Sequence, residues 1–223
     1  SESPFTAAFP RKGSTVTPSE PISFTNRVAW AIEPDRCALL LHDMQPHYLD
    51  AVAPAERQRL VANARSLAAA ARERGIPIFA SRVSAAREHR ERGLMLDMWG
   101  RGPAEDADPL DSALGLAETD VRPLVKRSYS AFFGNDFEVM LRRLGRDSIL
   151  VAGVYTSIGC HASAMDAFMR DIRAFVVADA TGDLRSADHG AGLAAVARTC
   201  GRVVQTDAAC RALRRGRSSG TAA

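Results

Sequence analysis

The fold of this chain is decided by Cys37-Ala38-Leu39-Leu40-Leu41-His42-Asp43, in which five apolar residues in succession lead into a histidine and then an aspartate. An apolar run of this length without alternation predicts a strand that is buried on both faces. Strands of that kind are typical of parallel sheets that helices cover on both sides. The stretch therefore indicates a parallel sheet, with the carboxyl group of Asp43 at the carboxyl end of a buried strand.

Further apolar runs follow along the chain, and segments with helical periodicity separate them. Short strands are predicted over residues 76–81, 124–127, 148–154, 174–180 and 202–206. Helices are predicted over residues 55–74, near 89–97, over 135–144, 160–172 and 186–199, and after the last strand through 215. Elements that alternate in this way connect through right-handed crossovers. We therefore predict an α/β fold, a three-layer α/β/α sandwich with a mostly parallel, Rossmann-like central sheet of about six strands.

The two ends of the chain differ from this central pattern. The N-terminal segment holds five of the eleven prolines, which predicts an extended arm that wraps the domain. Within it Val28, Trp30 and Ile32 alternate with polar or small residues, as in a short edge strand or an extended piece docked on the sheet. The chain is therefore divided into an extended arm, a single domain and a flexible tail, which cover residues 1–36, 37–215 and 216–223.

The composition excludes several classes of protein. Charges are nearly balanced, with 29 basic and 26 acidic residues, so no nucleic acid is expected as a partner. No apolar run is long enough to span a membrane, and the start lacks the pattern of a signal peptide, so we expect a cytoplasmic protein without membrane contact. The four cysteines have no paired short spacing, which argues against a disulfide framework and against a zinc site.

Two charged residues lie at the carboxyl ends of predicted strands, where parallel sheets bind their ligands. Asp43 is suited there to act as a general acid or base, and the alternative is a turn or helix-capping aspartate. Lys126 is one of only two lysines among 29 basic residues. It is suited to hold a substrate carboxylate or to pair with Asp43, and the alternative is a solvated loop lysine.

The segment 153–161 joins a predicted strand to a helix, whose first N–H groups suit a carboxylate or an oxyanion. Cys160 lies in this segment, and it is either a candidate nucleophile whose pKa the helix terminus lowers or a small packing residue. Neither of the common glycine-rich nucleotide motifs is present. The five histidines are dispersed without the spacing of metal ligands, so neither a metal nor a cofactor is expected.

Five segments carry a family resemblance: Arg27-Val28-Ala29-Trp30 with Pro34, Leu39-Leu40-Leu41-His42-Asp43-Met44-Gln45, Tyr129-Ser130-Ala131-Phe132, Gly153-Val154-Tyr155 with Ile158-Gly159-Cys160, and Asp166-Ala167-Phe168-Met169-Arg170-Asp171-Ile172. Together they resemble the isochorismatase family, most of all the isochorismatases of siderophore and phenazine pathways, which lack the nucleophilic cysteine of other members. The likeness covers about residues 20–210. It implies that residues 37–215 are an isochorismatase-like hydrolase domain and that the chain forms a homodimer.

The resemblance also implies a site and a reaction. The catalytic positions fall on Asp43, Lys126 and Gly159, where cysteine hydrolases of the family have an aspartate, a lysine and a cysteine nucleophile. Without a nucleophile, the implied reaction is non-covalent hydrolysis of the enolpyruvyl (vinyl ether) group of isochorismate or 2-amino-2-deoxyisochorismate, with Asp43 as general acid. The products are pyruvate and a dihydro-hydroxybenzoate or dihydro-anthranilate type of acid. The implied substrate-binding residues are Arg92, Tyr155, Trp99, Val83, Gln45 and His47.

Two of these positions depart from the family pattern. Val83 stands where the family has a glutamine that contacts the substrate, and His47 stands where an aromatic ring is usual. Both departures concern the identity of the substrate, for example whether its ring carries a hydroxyl or an amino group, more than the type of reaction. The family also predicts a non-proline cis peptide, at 154–155. Two other hypotheses are a cysteine-dependent amidase that uses Cys160 and a non-catalytic relative that binds a chorismate-derived ligand.

Overall fold

A computed structural model describes residues 24–86 and 88–215, and its centre is one sheet of six strands. In chain order the strands are β1 (Cys37–His42), β2 (Ile78–Val83), β3 (Arg122–Lys126), β4 (Ser148–Val154), β5 (Arg173–Gly182) and β6 (Gly201–Val204). Their order across the sheet is β3-β2-β1-β4-β5-β6, and every neighbouring pair is parallel. The predicted fold class is therefore confirmed, and the described sheet is parallel throughout.

The helices lie in the connections between the strands. In chain order they are α1 (Pro46–Leu49), α2 (Pro54–Glu73), α3 (His89–Arg92), α4 (Met95–Trp99), α5 (Phe137–Arg143), α6 (His161–Phe168), α7 (Ser186–Thr199) and α8 (Thr206–Arg214). The helix predicted near 89–97 is two short helices, because Gly93 interrupts it with a φ of 56°. The helix predicted over 160–172 is a π-helical turn, Thr156–Cys160, followed by α6, and Asp171 leads into β5 with a φ of 55°.

Helices cover both faces of the sheet, and each face has its own apolar core. On one face α2 and α8 pack on the sheet, with Leu60, Leu67 and Leu213 among the buried residues. On the other face α5, α6 and α7 do so, and Leu141 and Val196 are buried there. All six residues of β1 are buried, as expected for a central strand of a three-layer fold.

The described part of the predicted arm is an extended piece docked on the domain, and residues 24–33 form no strand. Asn26 accepts a hydrogen bond from Val203 N at 2.7 Å and donates one to Val203 O at 2.9 Å, so its amide pairs with the edge strand β6. Trp30 packs against the core on the α2 face. The remainder of the predicted arm and the predicted tail, residues 1–23 and 216–223, lie outside the described residues.

Three further observations bear on membranes, metals and redox chemistry. Among the described residues, no helix is both long and apolar enough to cross a membrane. Within the same residues, no group of three His, Cys, Asp or Glu side chains is placed to hold a metal ion. The four cysteines are free and buried.

The order of the strands places a crevice beyond the carboxyl ends of β1 and β4. These two strands are neighbours, and the chain continues outward from them in opposite directions, which is where open parallel sheets bind ligands. Gly153 on β4 pairs with His42 on β1, and a Cβ at position 153 would lie 2.0 Å from the His42 carbonyl oxygen. The φ of 125° at Gly153 also favours glycine. The two strands therefore approach closely at the edge of the crevice.

Candidate active site

A narrow cavity of about 30 Å³ lies in this crevice. Of the nine residues predicted for the site, seven line it: Asp43, Lys126, Gly159, Arg92, Tyr155, Trp99 and Val83. The other lining residues are Tyr48, Met95, Tyr129, Val154 and Ile158. The sheet thus brings together residues from β2, β3, the turn after β4 and the helices α1, α3 and α4.

Asp43 and Lys126 form a buried ion pair at the floor of the cavity. The Lys126 ammonium lies 2.8 Å from Asp43 Oδ2, and both residues are less than 10% exposed. Lys126 also donates a hydrogen bond to the Ser128 carbonyl at 2.7 Å. Asp43 has a φ of 49°, an uncommon conformation for a residue other than glycine. The pair places a carboxyl group and a cation side by side, which is one of the arrangements considered for Lys126 from its position at a strand end.

Ser81 at the end of β2 holds the other oxygen of the same carboxyl group. Its hydroxyl donates a hydrogen bond to Asp43 Oδ1 at 2.7 Å and accepts one from Asp43 N at 3.1 Å. Ser81 is fully buried and is opposite His42 in the pairing of β1 with β2. Both oxygens of Asp43 are therefore fixed by neighbouring strands.

Gln45 and His47 lie behind the wall of the cavity. Gln45 accepts a hydrogen bond from Val83 N at 2.8 Å and donates one to Val83 O at 3.3 Å, so its amide is engaged by the backbone of β2. The His47 ring lies edge-on to Tyr48 with the ring centroids 4.8 Å apart, and burial lowers the pKa of His47. The structure thus gives both residues a role in holding wall residues, and direct contact of either with a substrate stays a prediction.

Arg92 brings a second buried cation to the cavity. The residue is 5% exposed, and its Nε donates a hydrogen bond to the Gly100 carbonyl at 2.6 Å. Its Nη2 is buried and has no hydrogen-bond partner among the described residues. A buried guanidinium donor without a partner is costly, and a carboxylate is the ligand that suits it best. Arg92 therefore places a buried cationic donor at this cavity, and its contact with a substrate carboxylate stays a prediction.

Tyr155 and Tyr48 close another side of the cavity. The Tyr155 hydroxyl donates a hydrogen bond to the Tyr48 carbonyl at 2.9 Å, and burial raises the pKa of both phenols. Both hydroxyls therefore stay protonated at neutral pH. The peptide bond between Val154 and Tyr155 is cis, as the resemblance predicted.

Cys160 is not placed to act as a nucleophile. It is fully buried in the core on the face of α5, α6 and α7 and does not line the cavity. Burial raises the pKa of its thiol well above the ordinary value, which is opposite to the lowering that a helix terminus predicted. The neighbouring cavity residue is Gly159, which has no side chain. The packing interpretation of Cys160 is therefore correct, and the structure gives no support to an amidase that uses this cysteine.

Trp99 and Tyr129 form the outer wall of the cavity. Trp99 Nε1 donates a hydrogen bond to the Tyr129 hydroxyl at 2.8 Å, which links α4 to the loop after β3. Leu94 and Met98, which precede Trp99 on this segment, are exposed. Because this wall is formed by short helices and a loop, it is the part of the cavity that has least support from the sheet.

The sequence analysis assigned no role in the site to six residues that line the cavity or hold its acid. They are Ser81, Val154, Tyr48, Met95, Tyr129 and Ile158. Ser81 and Val154 lie at the ends of predicted strands, which was a usable signal for both. The other four lie in loops and short helices, whose positions periodicity does not predict.

Sequence comparisons identify relatives over most of the chain. The isochorismatase domain profile matches residues 37–208. Enterobactin synthase component B from Escherichia coli is 37% identical over 185 residues, which cover 82% of this chain and 65% of that protein. Phenazine biosynthesis protein PhzD1 from Pseudomonas aeruginosa is 38% identical over 186 residues, covering 82% of this chain and 88% of that protein. This chain therefore spans slightly less than two thirds of the length of the first relative and most of the second.

Comparison with solved structures shows the same fold. A cysteine hydrolase from Pseudomonas syringae superposes with a TM-score of 0.75 at 23% identity, and the match covers 86% of this chain and 97% of that one. An isochorismatase family protein from Burkholderia thailandensis superposes with a TM-score of 0.71 at 26% identity, covering 83% and 98%. With the profile match over residues 37–208 and relatives above 35% identity, this chain belongs to the isochorismatase family.

Proposed function

We propose that this chain hydrolyses the enolpyruvyl ether of isochorismate, or of 2-amino-2-deoxyisochorismate, to pyruvate and a dihydro ring acid. The observation that carries the proposal is the buried pair of Asp43 and Lys126 at a cavity whose described lining contains no cysteine, serine or threonine. A positioned proton donor without a nucleophile suits acid-catalysed cleavage rather than acyl transfer. Membership of the isochorismatase family and a relative named for phenazine biosynthesis support the same reaction.

In the first step, Asp43 transfers its proton to the methylene carbon of the enolpyruvyl group. The electron pair of the C=C bond forms the new C–H bond, and the adjacent carbon becomes an oxocarbenium ion that the ether oxygen stabilises. A carboxylic acid held at the reacting atom accelerates this transfer, because the proton donor and the carbon that accepts the proton are already aligned. Lys126 and Ser81 hold both oxygens of Asp43 and so limit its rotation.

The first step requires the carboxylic acid form of Asp43 when the enolpyruvyl group is bound, and that form is part of the proposal.

In the second step, a water molecule adds to the carbon of the oxocarbenium ion and returns one proton to the Asp43 carboxylate. The product of this addition is a hemiketal. In its collapse the hemiketal hydroxyl loses its proton and forms the C=O bond of pyruvate, while the bond from that carbon to the ring oxygen breaks and the ring oxygen takes up a proton. The products are pyruvate and the ring acid, which keeps this oxygen as a hydroxyl group. One water is consumed, and Asp43 recovers its proton, so no covalent intermediate with the protein is formed.

The remaining lining residues bind the substrate in this proposal. Arg92 offers its buried Nη2 to a substrate carboxylate. Val83, Met95 and Ile158 present apolar surface to the ring, and Trp99 closes the cavity over it.

The purified chain tests the proposal directly. Incubation with isochorismate, and separately with its 2-amino analogue, is expected to release pyruvate, which coupled lactate dehydrogenase measures. The matched variant Asp43→Asn keeps the size of the side chain and is expected to lose turnover while it still binds substrate. The absence of pyruvate from both compounds would refute the proposal, and a wild-type rate in Asp43→Asn would refute the role of Asp43.

The same assay separates the alternatives. A non-catalytic relative would bind a chorismate-derived acid in calorimetry without releasing pyruvate. The homodimer that the resemblance implies belongs to this proposal, and sedimentation equilibrium of the purified chain tests it.

A further inference from the structure

His42 lies between the acid and the turn that follows β4, and it is fully buried. Its Nδ1 lies 2.9 Å from the Val154 carbonyl oxygen and 3.5 Å from Asp43 Oδ2. Because a carbonyl oxygen only accepts, Nδ1 carries the proton and donates it to Val154. Burial lowers the pKa of His42, so the ring is neutral. The ring is therefore fixed in orientation by the end of β4 and lies beside Asp43.

The same ring occupies the space next to Gly159. A Cβ at position 159 would lie 2.3 Å from His42 Cε1 and 3.1 Å from each ring nitrogen. The backbone at Gly159 is not among the positive-φ positions, so its conformation does not demand glycine. The three nearest atoms all belong to the imidazole ring, so the volume of that ring favours glycine at this position. Gly159 lines the cavity. The contact between the His42 ring and Gly159, called the steric pair below, therefore lies at the candidate active site itself.

We propose that His42 is a positioning residue that excludes every side chain from position 159 and holds Asp43 in register with the end of β4. The steric half of this inference follows from the contact of the ring with Gly159 and does not depend on the reaction. The positioning half rests on the proposed hydrolysis. With the ring in place, position 159 presents only backbone to the cavity, so no nucleophilic side chain can stand at that position beside the acid.

Replacing His42 with asparagine removes part of the ring volume but keeps a hydrogen-bond donor to the Val154 carbonyl. Its Nδ2 takes the place of the imidazole Nδ1 and donates to Val154 O, whereas Cε1 and Nε2 are removed. The variant His42→Asn is therefore expected to tolerate a side chain at position 159 that the native protein rejects. Leucine is the complementary change, since His42→Leu keeps apolar volume and removes the donor.

Thermal unfolding of four proteins measures the steric pair: wild type, Gly159→Ala, His42→Asn and the double variant. In the native background Gly159→Ala is expected to lower the Tm by about 2–12 °C, since overpacking costs about 1–3 kcal/mol and each kcal/mol shifts the Tm of a domain of this size by about 2–4 °C. In the His42→Asn background the same change is expected to lower the Tm by less than about 2 °C. Equal losses in both backgrounds would overturn the inference.

Gly192→Ala is the matched control. A Cβ at position 192 would lie 2.7 Å from Ser157 Cα, a clash of similar severity with backbone rather than with the His42 ring. His42→Asn is therefore expected to leave the loss caused by Gly192→Ala unchanged. Relief of that loss as well would mean that His42→Asn loosens the whole turn, which also overturns the inference.

Kinetics test the positioning half with protein concentrations corrected for the folded fraction. His42→Leu, which lacks the donor to Val154, is expected to have a kcat at least about tenfold below that of His42→Asn, with the two KM values within about twofold of each other. Equal kcat in the two variants would refute the positioning role. If the wild type releases no pyruvate, the proposed function fails, and the unfolding measurements still decide the steric half.

Discussion

Replacing Lys126 with methionine removes the ammonium group that lies 2.8 Å from Asp43 Oδ2, while it preserves most of the side-chain volume. Both partners are nearly inaccessible to water, with Lys126 3% and Asp43 7% exposed. Removing one member of a buried pair leaves the other charge uncompensated, which typically costs about 3–5 kcal/mol. The Ser128 carbonyl also loses its hydrogen bond from Lys126. We therefore expect Lys126→Met to lose about 3–5 kcal/mol of unfolding free energy.

Urea unfolding measures this loss. With a dependence of about 2 kcal/mol per molar urea, the midpoint is expected to fall by about 1.5–2.5 M. The double variant Lys126→Met with Asp43→Asn removes both charges and is expected to recover at least about 2 kcal/mol relative to Lys126→Met alone. Neither variant is expected to release pyruvate, so the double variant regains stability but not activity.

Arg214→Met is the control for this measurement. Arg214 Nε lies 2.8 Å from Glu73 Oε2, the same separation as in the buried pair, but both side chains are about half exposed. Its midpoint is expected to change little, because water screens exposed pairs. A loss below about 1 kcal/mol in Lys126→Met, or a double variant whose loss equals the sum of the single losses, would refute the reasoning.

Three further predictions concern activity, measured as pyruvate release. Lys126→Arg is expected to lower kcat at least about tenfold, since a planar guanidinium does not fit where a compact ammonium bridges Asp43 and a carbonyl; a near-normal kcat would contradict this. Cys160→Ala is expected to keep kcat, and iodoacetamide is expected to leave wild-type activity intact at pH 8, because burial raises the pKa of the thiol; inactivation would revive the amidase hypothesis. Tyr129→Phe removes the hydrogen bond from Trp99 and is expected to raise KM with little change in kcat, whereas an unchanged KM would show that this bond does not shape the wall.

The predicted architecture depended on a pattern that is strong in this chain. β1 and β4 are apolar at almost every position, and a strand of that kind is stable only when helices cover both faces. The first and last residues of the strands and helices were less predictable. The strand expected over 76–81 is Ile78–Val83, since the pattern of apolar residues does not distinguish the last residues of a loop from the first of a strand.

The site was predictable where it lies on strand ends. Asp43 and Lys126 are separated by more than eighty positions, yet parallel pairing brings the ends of their strands to one edge of the sheet. Arg92, Trp99 and Val83 came from the family resemblance. Gln45 and His47 came from the same source, but the structure places them behind the cavity wall.

The sequence by itself determined the parallel sheet, its helical layers and the charged residues at its carboxyl edge, because these follow from local runs and periods of apolar residues. Only the tertiary structure decided which groups meet. The bond from Ser81 to Asp43 and the contact of the His42 ring with Gly159 each join segments that are distant in sequence, and the burial of Arg92 Nη2 depends on the residues packed around it. Contacts of this kind depend on the packing of several elements at once, which no single stretch of sequence encodes.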